Sequence, residues 1–383
     1  MNDSPDPLAR LLADLAGEAG IVPFWRVMEL ALYHPEHGYY MTGRQRIGRE
    51  GDFVTAPELT SLFGELLTLQ CIEVWELLGR PHPFAVIEMG GGSGRLAADF
   101  LATARRFVDF FQALAYRVVE ISPDFRARQQ ELVHALGCGA EKISWSATLP
   151  DHIEAGVILG NEFLDALPVH WVEMTPHGLM EVGLVPDGQG TFTTLLVAPQ
   201  SPLAPDYFDN LGIDLATGYR TEVGLAAARW MEGAGRALGR GVVLMIDYGW
   251  PASEYYAPHR THGTLAGHRG HERVDDPLRF LGTMDLTAHV DFSAMARAGT
   301  SAGLTPLGFT TQAWFLMGLG ILERLQRLTG RLAPEQAESL RQAVMRLILP
   351  DAMGERFKVL AMGKGVLQGA LSGFRLNDQW PRL

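Results

Sequence analysis

Phe84-Ala85-Val86-Ile87-Glu88-Met89-Gly90-Gly91-Gly92-Ser93-Gly94 is the stretch whose reading decides the fold. Its first six residues, apolar except for Glu88, read as a buried strand. Gly90, Gly92 and Gly94 alternate through the turn that follows, and Arg95-Leu96-Ala97-Ala98-Asp99-Phe100-Leu101 resumes with helical spacing. Strand, glycine turn and helix make the entrance of a nucleotide-binding βαβ unit. Glycine lets the backbone approach a ligand closely, and a helix start offers unpaired N–H groups.

The spacing narrows the ligand. A dinucleotide fingerprint, G-x-G-x-x-G, requires a third glycine at position 95, which is arginine. The turn instead runs acidic-x-G-x-G-x-G from Glu88. This pattern resembles the first motif of S-adenosylmethionine (SAM) methyltransferases, whose loop accommodates the amino-acid and ribose portions of the cofactor. Taken alone, the motif is also compatible with a glycine-rich turn that holds no ligand.

Outward from this stretch, the 383 residues suffice for two or three lobes around a large core. A hydrophobic content of 47% with 20% charged residues is that of a folded soluble protein. The formal charge of −12 argues against a broad nucleic-acid surface. Two cysteines, Cys71 and Cys138, are too few for a disulfide scaffold or a cysteine-rich metal site, and their apolar settings suit buried thiols in a reducing compartment. The longest apolar run, Ala313 to Leu322, falls well short of the roughly 18 residues of a membrane span. The acidic start, Met-Asn-Asp-Ser-Pro-Asp-Pro, has neither a signal-peptide core nor an Arg-rich transit segment, so a cytoplasmic, bacterial protein is expected.

Helical patterns cover Leu8–Leu15 and Phe24–Leu32, and a long helix is expected over Leu59–Leu78, with Thr55 and Glu58 as a capping box. From Pro83 an α/β rhythm takes over. Strands are expected at Phe84–Met89, Tyr116–Ile121, Ile143–Trp145, Val157–Gly160, Val242–Asp247, Thr305–Thr310 and Phe357–Met362, mostly separated by helical stretches. These seven strands match the methyltransferase version of the Rossmann fold, a mostly parallel doubly wound sheet. The rhythm breaks at 169–200, which reads as a small antiparallel β insertion, and at 250–292, which is loop-rich. The expected organisation is an N-terminal helical region (1–82), a Rossmann-like SAM-binding domain (83–168 and 236–383) and an inserted β-rich and helical substrate subdomain (169–235).

Ligands of open α/β sheets sit at the carboxyl ends of the strands. Glu120, 26 residues beyond Gly94, stands where a ribose-binding carboxylate belongs. Ser146 follows the third strand as a candidate for the adenine edge. The fourth ends in Asn161-Glu162-Phe163-Leu164-Asp165-Ala166-Leu167-Pro168 and the fifth in Asp247-Tyr248-Gly249. Asn161 and Asp165 also suit helix N-caps, and Glu120 an ordinary strand end. An acid such as Glu162 between an apolar strand and Phe163-Leu164 needs a partner. The histidines at 259, 262, 268, 271 and 289 match no standard metal spacing, and no metal site is expected.

Several stretches together resemble one family. They are Gly51-Asp52-Phe53 with Thr55 and Pro57-Glu58, Leu62-Phe63-Gly64-Glu65, Asn161-Glu162-Phe163 with Asp165-Ala166-Leu167-Pro168, Ile246-Asp247-Tyr248-Gly249, Gly263-Thr264-Leu265 and Asp285-Leu286-Thr287-Ala288-His289-Val290-Asp291-Phe292. They are similar to the MidA-like SAM-dependent methyltransferases, whose mitochondrial members support respiratory complex I assembly by methylating arginine in a complex I subunit. The resemblance runs from about 24 to 365 and implies a SAM cofactor and a protein substrate, a respiratory-complex subunit among the candidates. It departs at the glycine loop, where the family reads Gly-Pro-Gly-Arg-Gly-Thr, and at Ala266-Gly267-His268, where the family has Arg, a small residue and an aromatic.

The site expected from these readings has two parts. Gly51, Asp52, Thr55, Glu88, Gly90, Gly92, Gly94, Glu120, Ser146 and Asn161 hold the cofactor. Glu162 and Asp165 bind and orient the acceptor, Asn161 stands at the boundary, and Asp247 and Tyr248 form the opposite wall. A non-catalytic SAM-binding assembly module and a small-molecule methyltransferase remain alternatives. The apolar runs Leu62–Leu78 and Ala313–Leu322 suit either packing on the sheet or a homodimer interface.

Overall fold

The computed structural model describes residues 7–17, 20–42, 55–137, 139–186, 191–199, 203–204, 206–270, 272–274, 276–366, 369 and 371–383. Gly51, Asp52, Cys138 and His271 lie outside them. The central sheet is built from β1 (Phe84–Met89), β2 (Leu114–Val119), β3 (Ile143–Ser146), β4 (Ile153–Asn161), β5 (Leu238–Trp250), β6 (Thr305–Thr311) and β7 (Phe357–Lys364). Their spatial order is β3-β2-β1-β4-β5-β7-β6, and the short strand Val290–Asp291 adds an eighth member beside the end of β5. β7 runs antiparallel to both β5 and β6, while the other neighbouring pairs are parallel. This is the Rossmann-like sheet that the apolar runs predict. The chain moves outward from β1 to β3 and returns on the other side of β1 as β4, so the order reverses between β1 and β4.

Side-chain alternation along each strand feeds two cores. Phe84 and Val86 of β1, Val157 and Leu159 of β4, and Val242, Leu244 and Ile246 of β5 face one side, with the helices Ser61–Leu77 and Arg95–Ala104. Ile87 and Met89, Ile158, and Val243 and Met245 face the other, with the helices Leu225–Ala237 and Phe292–Ser301. Both faces are covered, which is why the strands read as nearly continuous apolar runs.

A five-stranded antiparallel sheet takes the strands expected at 169–200 and adds two more. Arg220–Val223 pairs with His170–Glu173, and Val22–Pro23 pairs with Gly183 and Leu184. Both added strands are too short to show a period of two. The N-terminal helices Pro7–Ala16 and Phe24–Tyr33 pack Leu8, Leu12, Val27 and Met28 against Val169, Leu184, Met284 and Leu286.

Two local expectations are corrected. The helix expected over Leu59–Leu78 is broken at Thr60, whose extended backbone ends Ala56–Leu59 and whose hydroxyl accepts from Leu62 N at 3.3 Å to start Ser61–Leu77. Thr55 makes no side-chain cap bond, and the Glu58 carboxylate accepts instead from the Ser93 hydroxyl in the glycine loop. The segment 250–292 is also more ordered than its composition implies. Ala266–Arg269, Glu272–Val274 and Asp285–Thr287 form a three-stranded antiparallel sheet, hidden in the sequence by strands of three or four polar residues. No helix among the described residues is long and apolar enough to cross a membrane.

Candidate active site

A cavity of about 1280 Å³ opens at the carboxyl ends of β1 and β4. Its floor is the glycine loop. Gly90, Gly92 and Gly94 have φ of +67°, +52° and +85°, a region that side chains strain. At Gly91 the limit is space, because a Cβ there would stand 2.5 Å from Val118 Cγ1 and 2.9 Å from Gln129 Nε2. The loop is therefore drawn tightly against β2 and the helix Pro123–Leu136.

Gln129 makes that closeness specific. Its buried amide donates Nε2 to Gly92 O at 2.9 Å and to Glu120 Oε2 at 3.1 Å, and accepts from Trp145 Nε1 at 2.9 Å. One side chain thus ties the loop, the acid after β2 and strand β3. Sequence reasoning missed it. The available signal was its place with Phe125 and Val133 on the buried face of an otherwise polar helix.

Glu120 accepts from Ser122 N at 2.9 Å on its other oxygen, so each oxygen keeps a lone pair for a hydroxyl. Burial pushes this carboxyl above its ordinary range, against the hydrogen bonds from Ser122 and Gln129. Glu88 at the end of β1 accepts from Tyr116 OH at 2.8 Å. Burial carries Glu88 up to about 8, with the Tyr116 bond opposing and Glu120 adding to the rise.

Beyond the loop, β4 ends in a strained turn. Asn161 donates Nδ2 to Glu162 Oε1 at 3.1 Å, while its own Oδ1 is buried without a partner. Glu162 has φ +52°, which costs on the order of 1 kcal/mol or more outside glycine. Asp247 holds the turn in place. Its Oδ2 accepts from Phe163 N, Leu164 N and Asp165 N at 3.1, 2.9 and 3.3 Å, and its Oδ1 from Tyr248 N at 3.0 Å. Burial and the charges of Asp165 and Glu162 push the Asp247 carboxyl up, and these backbone donors pull it back.

The remaining wall comes from distant segments. Tyr248 hydrogen-bonds the Asp165 carboxyl, which burial raises to about 6 against that bond. Glu162 is raised to about 8, by burial first and then by Asp165. Tyr33 and Tyr40 stack at 5.7 Å, with Tyr33 OH donating to Ala166 O at 2.9 Å and Tyr40 OH to Asp285 Oδ1 at 2.8 Å. His289 stacks on Trp250 at 4.3 Å and meets Tyr248 edge-on at 4.8 Å. Burial, then the surrounding cations, hold its imidazole neutral, with a pKa of about 3.

Gly263-Thr264-Leu265 has a structural explanation. Buried Glu222 accepts from Thr264 N at 2.9 Å, Leu265 N at 3.1 Å and Tyr255 OH at 3.1 Å. A Cβ on Gly263, at φ +71°, would stand 2.2 Å from Glu222 Oε1. Thr264 Oγ1 in turn accepts from His289 N at 3.0 Å, fixing that histidine in the wall.

Of the residues expected from sequence, Thr55, Glu88, Gly90, Gly92, Glu120, Asn161, Glu162, Asp165 and Tyr248 line this one cavity. Three do not. Asp247 is turned into the backbone of residues 163–165 and fastens the wall instead of forming it. Ser146 donates to Thr148 O at 2.9 Å, and Ala147, Thr148 and Leu149 face the cavity in its place. Gly94 is the left-handed N-cap of the helix Arg95–Ala104. Tyr33, Tyr40 and His289 line the cavity without having been singled out as site residues.

Comparison with known proteins agrees with this arrangement. A family model described as an S-adenosyl-L-methionine-dependent methyltransferase matches residues 66–310. The mitochondrial protein arginine methyltransferase NDUFAF7 homolog of Drosophila melanogaster is 31% identical over 396 residues, covering 96% of this chain and 87% of its own. The mitochondrial protein arginine methyltransferase NDUFAF7 of Bos taurus is 30% identical over 383 residues, covering 94% and 84%. Among solved structures, a Burkholderia thailandensis protein crystallised with S-adenosyl-homocysteine is 36% identical, with a TM-score of 0.89 over 99% of both chains.

Proposed function

We propose, from the premise that this chain belongs to the S-adenosyl-L-methionine-dependent methyltransferase family matched over residues 66–310, that it methylates the guanidinium of an arginine in a protein. A respiratory-complex subunit is the substrate that the family resemblance favours. The observation that carries the reading is the pair Glu162 and Asp165. Asp165 is buried and Glu162 half-buried on the cavity wall, next to the glycine loop, and neither has a cationic partner among the described residues. A cation entering the cavity supplies one.

The residues present fit SAM. Glu120 keeps a lone pair on each oxygen for the two ribose hydroxyls. The Gly90–Gly92 turn leaves room that side chains would fill, and the unpartnered Asn161 Oδ1 offers an acceptor to the methionine ammonium. When bound, SAM supplies an electrophilic methyl on its sulfonium.

Glu162 and Asp165 grip the planar guanidinium fork and turn one nitrogen toward that methyl. Alignment of this kind contributes about 7–11 kcal/mol. As the N–C bond forms and the S–C bond breaks, the nitrogen loses a proton. Glu162 takes it, since burial raises its carboxyl to about 8 and matches it to a proton acceptor near neutral pH. Tyr248, bonded to Asp165, keeps that second carboxyl in position.

The test combines calorimetric titration of SAM with transfer of labelled methyl to protein in a cell extract. The wild type should bind SAM and label arginine. Glu162→Gln should bind SAM within about threefold of wild type and lose at least about a hundredfold in transfer, near 2.7 kcal/mol. A wild-type protein that binds SAM but labels no arginine refutes the acceptor assignment.

A further inference from the structure

The cavity carries opposite charge at its two ends. The inner end has the carboxyls of Glu162 and Asp165. Past Tyr248 the lining turns cationic, with the exposed Arg273 and Arg356 beside His268, whose imidazole burial and then Arg273 push toward the neutral form. Arg260 adds its guanidinium 3.6 Å from the Trp250 ring centre. In a chain of net charge −12, a cationic rim on this cavity is not the surface average.

Arg260, Arg273, Lys358 and Arg356 all bear on His289, which stands between the inner and outer ends. Asp285 lines the cavity opposite His268 and accepts from Tyr40 OH, and two further acids lie close by. The Glu254 carboxylate is taken by Arg382, and Glu355 faces Lys358. Arg356 forms no ion pair among the described residues.

A bare guanidinium gains nothing at such a rim and is repelled on the way in. A ligand that gains at both ends has a carboxylate trailing its guanidinium. The Tyr248–His289 and His289–Trp250 centroid spacings are 4.8 and 4.3 Å. With Arg260 a further 3.6 Å from the Trp250 ring centre, they place its guanidinium within about 13 Å of Tyr248, the length of about four extended residues.

We infer that the outer wall of Arg273, Arg356 and Arg260 receives an acidic side chain within about four residues of the target arginine. This rests on the arginine reading above. It narrows the acceptor to arginines with an aspartate or glutamate neighbour.

Capped nonapeptides test it, each with a central arginine, glycines elsewhere, and a single Asp or Asn at one of the flanking positions. They are titrated into protein saturated with S-adenosylhomocysteine. At least one Asp peptide should bind tenfold or more tightly than its Asn counterpart. Arg356→Glu should abolish that preference and favour a Lys peptide at the same position, with S-adenosylhomocysteine affinity unchanged. Equal binding of every Asp and Asn pair overturns the inference and leaves the arginine reading standing. Free L-arginine binding as tightly as the best Asp peptide also overturns it, since the carboxylate would then be the amino acid's own. If S-adenosylhomocysteine binds and no arginine peptide does, the arginine reading falls and takes the inference with it.

Discussion

Gln129 is the most exposing place to perturb the cofactor half of the site. Gln129→Met keeps the volume and removes two donors and an acceptor together. Gly92 O and Glu120 Oε2 then lose their shared donor, and Trp145 Nε1 is left buried without a partner. A lost hydrogen bond to a charged group is worth about 1.5–3 kcal/mol and an orphaned buried donor about 1–3, so a stability loss on the order of 3 kcal/mol is expected. SAM affinity should fall about 10- to 100-fold, because Glu120 and the loop lose their common anchor. Gln129→Glu separates the two effects. It keeps the acceptor for Trp145 but sets a carboxylate against Glu120, so it should melt closer to wild type than Met does only if the Trp145 bond dominates, and should bind SAM worse than Met in either case. Calorimetric titration and thermal unfolding measure both. A SAM affinity for Gln129→Met within twofold of wild type refutes the anchoring role, as does Gln129→Glu binding SAM better than Gln129→Met.

The pH profile follows from Glu162, which burial raises to about 8. A cationic acceptor binds the carboxylate form, so kcat/KM for the arginine acceptor should fall roughly tenfold per pH unit below about 8 and level off above it. Glu162→Gln should remove that limb. The same raised pKa means that the folded state holds the proton more tightly than the unfolded chain. The resulting stability is fully present below about 4.5 and is lost as pH rises through 8, and Glu162→Gln should flatten this slope in denaturant titrations. Asp247→Asn should leave at least one of the four backbone N–H groups at 163, 164, 165 and 248 without an acceptor, costing about 1–3 kcal/mol. Relaxation of Glu162 should then raise KM for the acceptor tenfold or more with SAM affinity within about threefold of wild type. Unchanged melting and unchanged KM refute the fastening role.

What was legible in the sequence had short-range causes. The seven central strands announce themselves because both faces are covered, and the glycine loop because three left-handed turns admit little else. The β insertion showed its period of two. What escaped depends on pairs far apart in the chain. Gln129 meets Gly92 across 37 residues, Glu222 meets Thr264 across 42, and Asp247 meets Phe163 across 84. Asp247 illustrates the limit. An acid ending an apolar strand announces that it must be held, but only the fold reveals that backbone amides do the holding. Ser146 erred by a single residue for a related reason. Its hydroxyl closes on Thr148 O, a local bond that turns it away and lets the next three residues face the cavity.

The two halves of the site are stabilised in different ways, and this bears on how each could change. The cofactor half hangs on one loop and one amide. The wall that carries Glu162 and Asp165 is assembled from five segments linked by four bonds: Tyr33 to Ala166, Tyr40 to Asp285, Tyr248 to Asp165, and Thr264 to His289. A substitution in any of these segments is expected to move that wall while leaving the glycine loop where it is, and so to change KM for the acceptor without loss of SAM. Glu162 stands where the halves join. The turn after β4 needs a left-handed residue there, and glycine would supply it without strain. But glycine carries no carboxylate, and Asp165 would then stand alone on that wall among the described residues. The strained backbone presents the Glu162 carboxyl to the cavity, as the proposed acceptor role requires.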